Sequence, residues 1–354
     1  MKILFLARYG QQGASSRLRS FQFFPELIAS NIECIVSPLF SDALLLKKYQ
    51  VGSYSLIDLV QVYWQRIQAM YSSHHFDLVW IEKEALPWFP SWFEKWLLRD
   101  SHYALDFDDA IFHNYDLHNS AYIRYLFGRR IDQLMKDAKL VVAGNHYLAN
   151  RAIAAGSKHV EIIPTVIDLL RYIPKQSYPI ATTPIIVWIG SPSTAQYLLE
   201  LSEVFKTLAK RQPFTLRVIG GGIITIPGVE IESLPWSLNA EAALIAECDI
   251  GIMPLRDTPW EQGKCAYKLI QYMASGLPTV ASPIGANLNV TIEDKTGFFV
   301  ATEADWVDRL ELLLCDAALR QRLGQAGRAR VETDYCLQQV APRIVRLVTE
   351  AGLH

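Results

Sequence analysis

Cysteine is scarce in this sequence, and its few cysteines are not paired. Five cysteines are scattered through 354 residues, and no Cys-x-x-Cys pair occurs. A disulfide framework and a structural zinc site both require thiols at characteristic spacings, so neither is predicted. Free cysteines are typical of proteins kept in a reducing compartment. We therefore expect a cytoplasmic protein.

Long apolar runs are also absent. No stretch reaches about 18 consecutive apolar residues, the length that indicates a transmembrane helix. The apolar run near the N-terminus, at residues 3–7, is too short for the core of a signal peptide. It predicts a first buried strand instead.

A strong excess of either charge is missing too. Lys and Arg total 34 and Asp and Glu total 36, which gives a formal net charge of −2. Nucleic-acid-binding domains usually carry a basic excess, so no nucleic-acid partner is expected. With 51% hydrophobic and 20% charged residues, the composition is that of a folded globular protein. The length predicts about two domains.

Two sets of strand and helix patterns follow one another along the chain. Short apolar runs alternate with segments of helical period, which is typical of parallel sheets covered by helices. Strands are predicted at residues 3–7, 33–37, 78–82, 103–106, 140–143 and 161–164, and then at 185–189, 215–219, 250–253 and 279–282. The predicted fold class is α/β, with two doubly wound, Rossmann-like domains facing a central cleft that holds the site.

Prolines mark the boundary between the two sets. Pro174, Pro179 and Pro184 interrupt a stretch with little periodicity. The prediction is an N-terminal domain at residues 1–166, a linker at 167–183 and a C-terminal domain at 184–336.

The first strand is followed by a loop with two glycines and two serines. Residues 9–16 read Tyr-Gly-Gln-Gln-Gly-Ala-Ser-Ser. Free backbone N–H groups near Gly13, at the start of the helix that carries Arg17, could bind a phosphate. The spacing differs from the dinucleotide fingerprint Gly-x-Gly-x-x-Gly, which disfavours a nicotinamide dehydrogenase. A tight turn without a ligand is the alternative.

A cluster of carboxylates follows the fourth strand. Residues 106–113 read Asp-Phe-Asp-Asp-Ala-Ile-Phe-His. Clustered carboxylates perturb one another's pKa values and are costly unless they are used. We expect Asp108 and Asp109 to bind the acceptor or to handle a proton. The alternatives are a metal site, whose further oxygen ligands are not evident, and capping of the next turn by Asp109.

The segment after Trp260 places two lysines in a predicted helix. Gly263 and Lys264 are predicted to open this helix, so that Lys264 and Lys268 lie one turn apart on one face. Cations at the N-terminal end oppose the helix dipole, which indicates that an anion binds there. A solvated lysine face is the alternative.

Several segments resemble the retaining glycosyltransferases of family four, which have the GT-B fold. They are the loop at 9–16, the Asp-Phe-Asp-Asp-Ala stretch at 106–110, Ile-Pro-Thr-Val-Ile-Asp at 163–168, and Tyr-Met-Ala-Ser-Gly-Leu-Pro-Thr-Val-Ala-Ser at 272–282. Such enzymes transfer a sugar from a nucleotide donor, held by the C-terminal domain, to an acceptor held largely by the N-terminal domain. Their final helix commonly crosses back, which assigns residues 337–354 to the first domain.

The resemblance also identifies departures from the family pattern. The family usually has two glutamates eight positions apart, and the second holds the donor ribose. This chain has Gln271 there, Gly263 at the first position and Glu261 two residues earlier. The amide of Gln271 can still donate to and accept from ribose hydroxyls.

Two glycine-containing loops are expected near the donor. Gly190 and Ser191 follow the first strand of the second domain, where the family usually has a basic residue, so Lys264 and Lys268 would supply that charge. Gly220 and Gly221 resemble a family loop near the nucleotide base, although a simple turn is the alternative. The predicted donor-binding residues are Gly13, Arg17, Gly190, Ser191, Gly220, Gly221, Glu261, Gly263 and Gln271, and the predicted catalytic residues are Asp108, Asp109, Lys264 and Lys268.

The resemblance implies transfer of a hexose-type sugar with retention of configuration. The donor would be UDP- or GDP-linked, and the acceptor a carbohydrate or a lipid-linked molecule, as in the synthesis of cell-surface polysaccharides. No metal or other cofactor is expected, because lysines, helix N-terminal amides and Arg17 would stabilise the departing diphosphate. An epimerase-like enzyme and a non-catalytic nucleotide-sugar-binding protein are the alternatives.

Aromatic residues recur at helical spacing between residues 88 and 96. They are Trp88, Phe89, Trp92, Phe93 and Trp96. The commoner explanation of such a stripe is a core-facing helix. The alternative is an interfacial helix that makes a peripheral contact with the inner face of a membrane.

Overall fold

The computed structural model describes residues 1–178 and 183–353, and only the backbone at 48–51. The chain divides into two compact units. Unit 1 contains residues 1–165, 262–265 and 340–354, of which 354 lies outside the described residues, and unit 2 contains residues 166–261 and 266–339.

Unit 1 is built on a six-stranded parallel sheet. Its strands are β1 (Lys2–Leu6), β2 (Glu33–Val36), β3 (Leu78–Glu82), β4 (Tyr103–Phe107), β5 (Leu140–Ala143) and β6 (Val160–Ile162). Their order is β2-β1-β3-β4-β5-β6, with every neighbouring pair parallel. The central strands β3, β4 and β5 are buried along their whole length, as expected for a sheet covered on both faces.

Short helices connect these strands. They are α1 (Ala14–Arg19), α2 (Phe24–Ala29), α3 (Asp42–Val51), α4 (Leu56–Tyr71), α5 (Ser91–Leu97), α6 (His113–Asp116), α7 (Ala121–Phe127), α8 (Arg130–Asp137) and α9 (His146–Ala154), with 3₁₀ helices at Phe21–Phe23 and Ser73–His75. Helix α4 begins with a capping box, in which the side chains of Ser55 and Asp58 each accept a hydrogen bond from the other's backbone N–H.

Unit 2 contains a second six-stranded parallel sheet. Its strands are β7 (Ile185–Ile189), β8 (Thr215–Ile219), β9 (Glu230–Leu234), β10 (Ile250–Met253), β11 (Thr279–Ala281) and β12 (Gly297–Phe299). Their order is β12-β11-β10-β7-β8-β9. The predicted α/β class with two doubly wound sheets is therefore confirmed.

Helices of very different length follow in the second half of the chain. They are α10 (Gln196–Leu199), α11 (Ser202–Arg211), α12 (Glu241–Ala246), α13 (Pro259–Gln262), α14 (Tyr267–Ala274), α15 (Asn287–Val290), α16 (Glu303–Cys315), α17 (Ala317–Asp334) and α18 (Leu337–Leu353), with 3₁₀ helices at Leu169–Arg171 and Pro192–Thr194. From Val340 onward, α18 belongs to unit 1 and buries Ile344, Leu347 and Val348. Within 1–178 and 183–353, no helix is long and apolar enough to cross a membrane.

The predicted linker at 167–183 differs from what the structure contains. Residues 179–182 lie outside the described residues, and the preceding part packs within unit 2. The backbone N–H of Lys175 donates to the carbonyl of Ser275 at 3.0 Å, and the Tyr178 hydroxyl donates to the carbonyl of Gly276 at 2.6 Å. Proline in this segment therefore does not prevent the residues before 179 from packing within unit 2.

The aromatic segment between residues 88 and 96 does not form a core-facing stripe. Helix α5 begins only at Ser91, and the side chains of Trp88, Trp92 and Trp96 are 49%, 68% and 48% exposed. The expectation of a buried stripe was wrong for these three tryptophans, since helical spacing identifies a shared face but not what that face contacts.

Candidate functional site

Lys83 binds two carboxylates at the carboxyl edge of the unit 1 sheet. It directly follows β3, and its Nζ lies 2.9 Å from Asp108 Oδ1 and 3.1 Å from Asp109 Oδ2. The backbone of Lys83 has φ 63°, in the left-handed region, and its N–H donates to the carbonyl of Asp106 at 2.7 Å. The predicted pair Asp108 and Asp109 is thus held by a cation, and Asp109 does not cap the next turn with its side chain.

The charges of this group depend on one another. Burial would raise the pKa of Asp108, but Lys83, with help from Arg19 and a hydrogen bond from the Ser15 hydroxyl at 2.7 Å, lowers the pKa of that carboxyl below its usual value. Burial would lower the pKa of Lys83, but the two carboxylates raise it strongly. Both partners therefore stay charged at neutral pH.

Asp106, the third carboxylate of the cluster, has a structural role. It lies within β4, is fully buried, and accepts hydrogen bonds from Arg19 Nε at 3.0 Å and from Nη2 at 2.5 Å. The same guanidinium donates from Nη1 to the carbonyl of Ile163 at 2.8 Å. His113 is bonded to Asp116 and Tyr147 rather than to the carboxylates at 108 and 109.

Phosphate binding at the start of the helix that follows β1 stays a prediction. The backbone N–H groups of residues 9–13, which the sequence predicted to be free, have hydrogen-bond partners. They donate within unit 1, from Tyr9 to Ser16 Oγ (2.9 Å), from Gly10 to Phe40 O (3.1 Å), from Gln11 and Gln12 to the Asp42 carboxylate (3.2 and 2.8 Å), and from Gly13 to Gly10 O (3.1 Å). A Cβ at Gly13 would lie 2.3 Å from Tyr9 Cβ, so close packing explains this glycine. Arg17 donates to the carbonyl of Gln11 at 3.2 Å, and its diphosphate contact stays a prediction.

Residues 262–265 join the carboxyl edge of unit 1. Asn145 Nδ2 donates to the carbonyls of Gln262 and Lys264 at 3.2 and 2.9 Å, and the Cys265 thiol donates to the carbonyl of Asp108 at 3.1 Å. A Cβ at Gly263 would lie 2.4 Å from Ala110 Cβ. The backbone of Lys264 is therefore fixed beside the strand end that carries Asp108.

The prediction that a helix begins at Gly263 and Lys264 is wrong. Helix α14 begins at Tyr267, after Ala266, which has φ 53°. Lys264 therefore lies before the helix in unit 1, whereas Lys268 is the second residue of α14 in unit 2. The two lysines are not one helical turn apart, and the dipole argument does not apply to Lys264.

Glycines line the carboxyl edge of the unit 2 sheet, where β7 and β8 end. A Cβ at Gly220, whose φ is 77°, would lie 2.5 Å from the carbonyl oxygen of Gly190. A Cβ at Gly190 or at Gly221 would lie 2.4 or 2.9 Å from the ring of Trp188. Only glycine lets these two loops pack together.

Lys268 lies at the same edge. Its Nζ is 4.3 Å from the ring centroid of Trp188, within the range of a cation–π contact. Trp188 therefore brings together Lys268, Gly190 and Gly221, three of the predicted residues. Ser191, next in the chain, forms a capping box with Thr194.

The side chains of Gln271 and Glu261 form hydrogen bonds with other residues of this chain. Gln271 is 2% exposed, and its Nε2 donates to the Tyr172 hydroxyl at 2.9 Å. Glu261 is 6% exposed and accepts from the hydroxyls of Tyr197 and Thr258. The expected ribose contact of Gln271 stays a prediction, and this placement does not support it.

Three residues of this arrangement were not predicted from the sequence: Lys83, Ser15 and Trp188. Lys83 is the first residue after β3, just as Asp108 is the first residue after β4. Because ligands of parallel sheets bind at the carboxyl ends of strands, that position was a usable signal. Ser15 gives no comparable signal, since its contact with Asp108 spans 93 residues of the chain.

Comparisons with known proteins bear on both units. Residues 183–316 match the family model described as Glycosyl transferases group 1. No curated protein has a significantly similar sequence. This match supports a glycosyltransferase and concerns unit 2, where Lys268 and the glycine loops lie.

Solved structures resemble the chain over nearly its whole length. Sucrose-phosphate synthase (tll1590) from Thermosynechococcus elongatus has a TM-score of 0.74 at 15% identity, covering 99% of this chain and 98% of its own. Anabaena Alr3699/HepE in complex with UDP-glucose has a TM-score of 0.71 at 16% identity, covering 99% and 100%. WaaG, a glycosyltransferase involved in lipopolysaccharide biosynthesis, has a TM-score of 0.67 at 14% identity, covering 99% and 100%. The chain therefore has the GT-B fold.

Proposed function

We propose that this protein transfers a hexose from a nucleoside diphosphate sugar to an acceptor, with retention of configuration at the sugar. The match of residues 183–316 to the Glycosyl transferases group 1 model carries this proposal. The grouping of Lys268 with Gly190 and Gly221 at the carboxyl edge of the unit 2 sheet supports it, because such edges bind nucleotides in open parallel sheets.

Unit 2 would hold the donor. The Lys268 ammonium would stabilise charge on the departing diphosphate, and the glycines at 190 and 220 would let the backbone approach the nucleotide. Such preorganised positive charge is commonly the largest contribution to catalysis of this type. No metal is needed in this scheme, so addition of a chelator should leave the rate unchanged.

Unit 1 would hold the acceptor. Asp108, kept ionised by Lys83, and its neighbour Asp109 would accept hydrogen bonds from acceptor hydroxyls. The acceptor oxygen would form a bond to the anomeric carbon while the bond from that carbon to the diphosphate oxygen breaks. The departing phosphate oxygen would take the acceptor proton, so the scheme requires no separate protein base.

The donor nucleotide is proposed to be UDP or GDP. The complex of HepE with UDP-glucose supports UDP as the first candidate. The acceptor is proposed to be a carbohydrate or a lipid-linked molecule of cell-surface polysaccharide synthesis, which WaaG's described role supports. The reaction would take place in the cytoplasm, at the inner face of the membrane.

A ligand panel tests the proposal. Thermal shift with UDP, GDP, ADP and their sugars identifies the nucleotide, because a ligand at about 100 times its dissociation constant stabilises by about 2.7 kcal/mol. Turnover is then followed with the identified donor and a mixture of sugar acceptors. Isomerised donor without acceptor would favour an epimerase. Binding without hydrolysis or transfer would favour a non-catalytic protein.

The role of the acidic pair is tested with Asp109→Asn. Asp109 is 31% exposed, so the amide should lower the melting temperature little while turnover falls strongly. Asp109 is preferred to Asp108, because Asp108 is more buried, at 15% exposed, and also accepts a hydrogen bond from Ser15. If turnover and melting temperature fall together, a structural role is indicated instead.

A further inference from the structure

Glu241 is a buried carboxylate of unit 2 to which the proposed chemistry gives no role. It is the first residue of α12 and is 3% exposed. Its Oε2 accepts a hydrogen bond from the indole Nε1 of Trp236 at 2.7 Å, and its Oε1 accepts one from the Tyr172 hydroxyl at 3.2 Å. Arg171 Nη2 lies 3.4 Å from the same Oε1. Burying a carboxylate is costly unless donors surround it, so these partners hold Glu241 in one position.

Tyr172 connects Glu241 to helix α14. Its hydroxyl donates to Glu241 and accepts from Gln271 Nε2 at 2.9 Å. Burial, reinforced by Tyr267 and Glu241, raises the pKa of Tyr172 well above its usual value, so the hydroxyl keeps its proton. A hydroxyl has one proton to donate, and the carboxylate, which only accepts, receives it. The Tyr172 oxygen must therefore meet a hydrogen-bond donor at position 271.

The direction of these hydrogen bonds explains why an amide suits position 271. The Nε2 of Gln271 supplies the N–H group that the Tyr172 oxygen accepts. A glutamate at this position would instead turn a carboxylate oxygen toward a hydroxyl whose proton is already donated to Glu241. It would also add a second negative charge to the same buried cluster, which is unfavourable. The amide at 271 and the carboxylate at 241 therefore belong to one hydrogen-bonded chain.

Trp236 connects Glu241 to the glycine loop that follows β8. A Cβ at Gly220 would lie 2.9 Å from Trp236 Cβ, so the backbone of this loop packs directly against Trp236. Arg171 Nη2 also donates to the carbonyl of Leu238 at 2.5 Å, which fixes the segment between Trp236 and Glu241. Through its indole partner, Glu241 therefore holds the segment against which Gly220 packs.

The same cluster adjoins the lysine of this edge. Gln271 follows Lys268 by three residues on α14, so the two residues are neighbours on the helix surface. Lys268 in turn lies over the ring of Trp188, which a Cβ at Gly221 would approach to 2.9 Å. Hydrogen bonds therefore link Glu241 both to the helix that carries Lys268 and to the segment that supports the glycine loop.

We propose that Glu241 is a positioning residue for the sugar donor. Through Tyr172 and Gln271 it holds α14, and through Trp236 it holds the glycine loop, so that both contact the nucleoside diphosphate in one fixed arrangement. A site whose supporting side chains are fixed in advance binds more tightly, because less freedom is lost on binding. Glu241 acts through its partners and not by touching the donor. The role rests on the proposed function, since it concerns the donor of that reaction.

Calorimetry and donor kinetics test this role. Glu241→Gln should weaken binding of UDP or GDP by about 2- to 30-fold and raise the KM for the nucleotide sugar, while the KM for the acceptor stays near that of wild type. Tyr172→Phe, which removes only the hydroxyl, should have the same effect. Glu247→Gln is the matched control and should bind as wild type. Glu247 ends the same helix and also pairs with an arginine, Arg217 at 2.6 Å, but its side chain is 58% exposed.

An exchange of the two side chains separates this role from general support of the fold. Gln271→Glu alone should weaken binding of the nucleoside diphosphate, because two carboxylates would compete for one hydroxyl proton. In the double variant Gln271→Glu/Glu241→Gln, Tyr172 can donate to position 271 and accept from the amide at position 241. The affinity should then return to within about threefold of wild type.

Each outcome of these measurements has a distinct meaning. Equal affinities of wild type, Glu241→Gln and Tyr172→Phe for the nucleoside diphosphate would overturn the positioning role and leave the proposed function standing. So would lower melting temperatures at unchanged affinity, which would indicate support of the fold only. A double variant that binds no better than Gln271→Glu would contradict the hydrogen-bonded chain. A wild-type protein that binds no nucleoside diphosphate would overturn the proposed function and the positioning role together.

Discussion

Lys83 is the residue on which the charge state of Asp108 depends. Its backbone lies in the left-handed region, which costs an L-residue about 1 to 2 kcal/mol. Contacts with two carboxylates compensate for that cost and for the burial of the ammonium. Because the pKa of Asp108 is lowered, its ionised form contributes stability above the usual value of 3.8, and this contribution is lost as the pH falls through the folded-state pKa.

We predict that Lys83→Met shifts the acidic limb of the pH–activity profile upward. Without the ammonium, burial is no longer opposed and raises the pKa of Asp108, so the limb should move by about one to three pH units. The profile of kcat against pH measures this. Lys83→Arg keeps the charge and is the control, whose limb should stay near that of wild type. An unmoved limb in Lys83→Met would show that Asp108 is not needed in its ionised form.

The contributions of Lys264 and Lys268 to ligand binding can be tested separately, because the two lysines lie in different units. Lys268→Ala should weaken binding of a nucleoside diphosphate by about 2 to 5 kcal/mol, the usual cost of losing one partner of a buried charge pair, and should hardly affect the nucleoside. Lys264→Ala should show the same pattern if its side chain also reaches the diphosphate. Calorimetry with both ligands measures the difference. Equal losses of affinity for the nucleoside and for the nucleoside diphosphate would indicate that Lys268 packs against Trp188 and does not bind the diphosphate.

Sequence reasoning at this scale was most successful where a residue directly follows a buried strand. Asp108, Asp109, Gly190 and Gly220 all lie at strand ends, as expected. The ribose contact of Gln271 stays a prediction. Its helix buries it against Tyr172, and nothing in the local pattern indicates the direction in which an amide on a mostly apolar helix points.

At the scale of elements, two edge strands of the unit 2 sheet were not predicted. The missed β9 reads Glu-Ile-Glu-Ser-Leu and lies at the edge of the unit 2 sheet, where it pairs only with β8. The missed β12, at the other edge, has three residues. Because β9 mixes polar and apolar residues and β12 is very short, neither contains the long apolar run that identifies a central strand.

The start of α14 depends on an alanine in an unusual conformation. Ala266, with φ 53°, is 1% exposed. Ala266→Gly would relieve about 1 to 2 kcal/mol of backbone strain and lose a buried methyl worth about 0.8 kcal/mol. We therefore predict that its free energy of unfolding stays within about 1 kcal/mol of wild type.

The matched control for that prediction is Ala209→Gly in α11 of the same unit. Ala209 is partly buried in a regular helix, so glycine should destabilise by about 1 to 2 kcal/mol. Urea unfolding compares the two variants. A loss in Ala266→Gly as large as that in Ala209→Gly would mean that the left-handed alanine is not strained.

At the scale of the whole molecule, units are discontinuous in sequence. Local periodicity could not reveal that residues 262–265 belong to unit 1, because the contacts of Asn145 and Cys265 that place them span more than a hundred residues. The family resemblance, by contrast, predicted that the last helix belongs to the first domain, and most of α18 lies in unit 1.

The contribution of α18 to unit 1 can be measured by truncating one side chain. Leu347 is 2% exposed, so Leu347→Ala should destabilise unit 1 by about 2 to 5 kcal/mol. Leu353→Ala, at a side chain 72% exposed on the same helix, should change stability by less than about 0.5 kcal/mol. Thermal unfolding followed by calorimetry distinguishes them. Similar melting curves for both variants would contradict the placement of α18.

The last turns of α18 also bear on how this chain is made. A Cβ at Gly352 would lie 2.1 Å from the terminal carbon of Met1, so the two ends of the sequence meet in one unit. A ribosome that has finished residue 165 must still synthesise up to residue 340 and beyond, which takes about 10 to 40 s at typical elongation rates. During that time the surface that Ile344, Leu347 and Val348 will cover remains open to water. We expect nascent chains of this protein to need a chaperone over that interval, and unit 2 to complete its fold before unit 1.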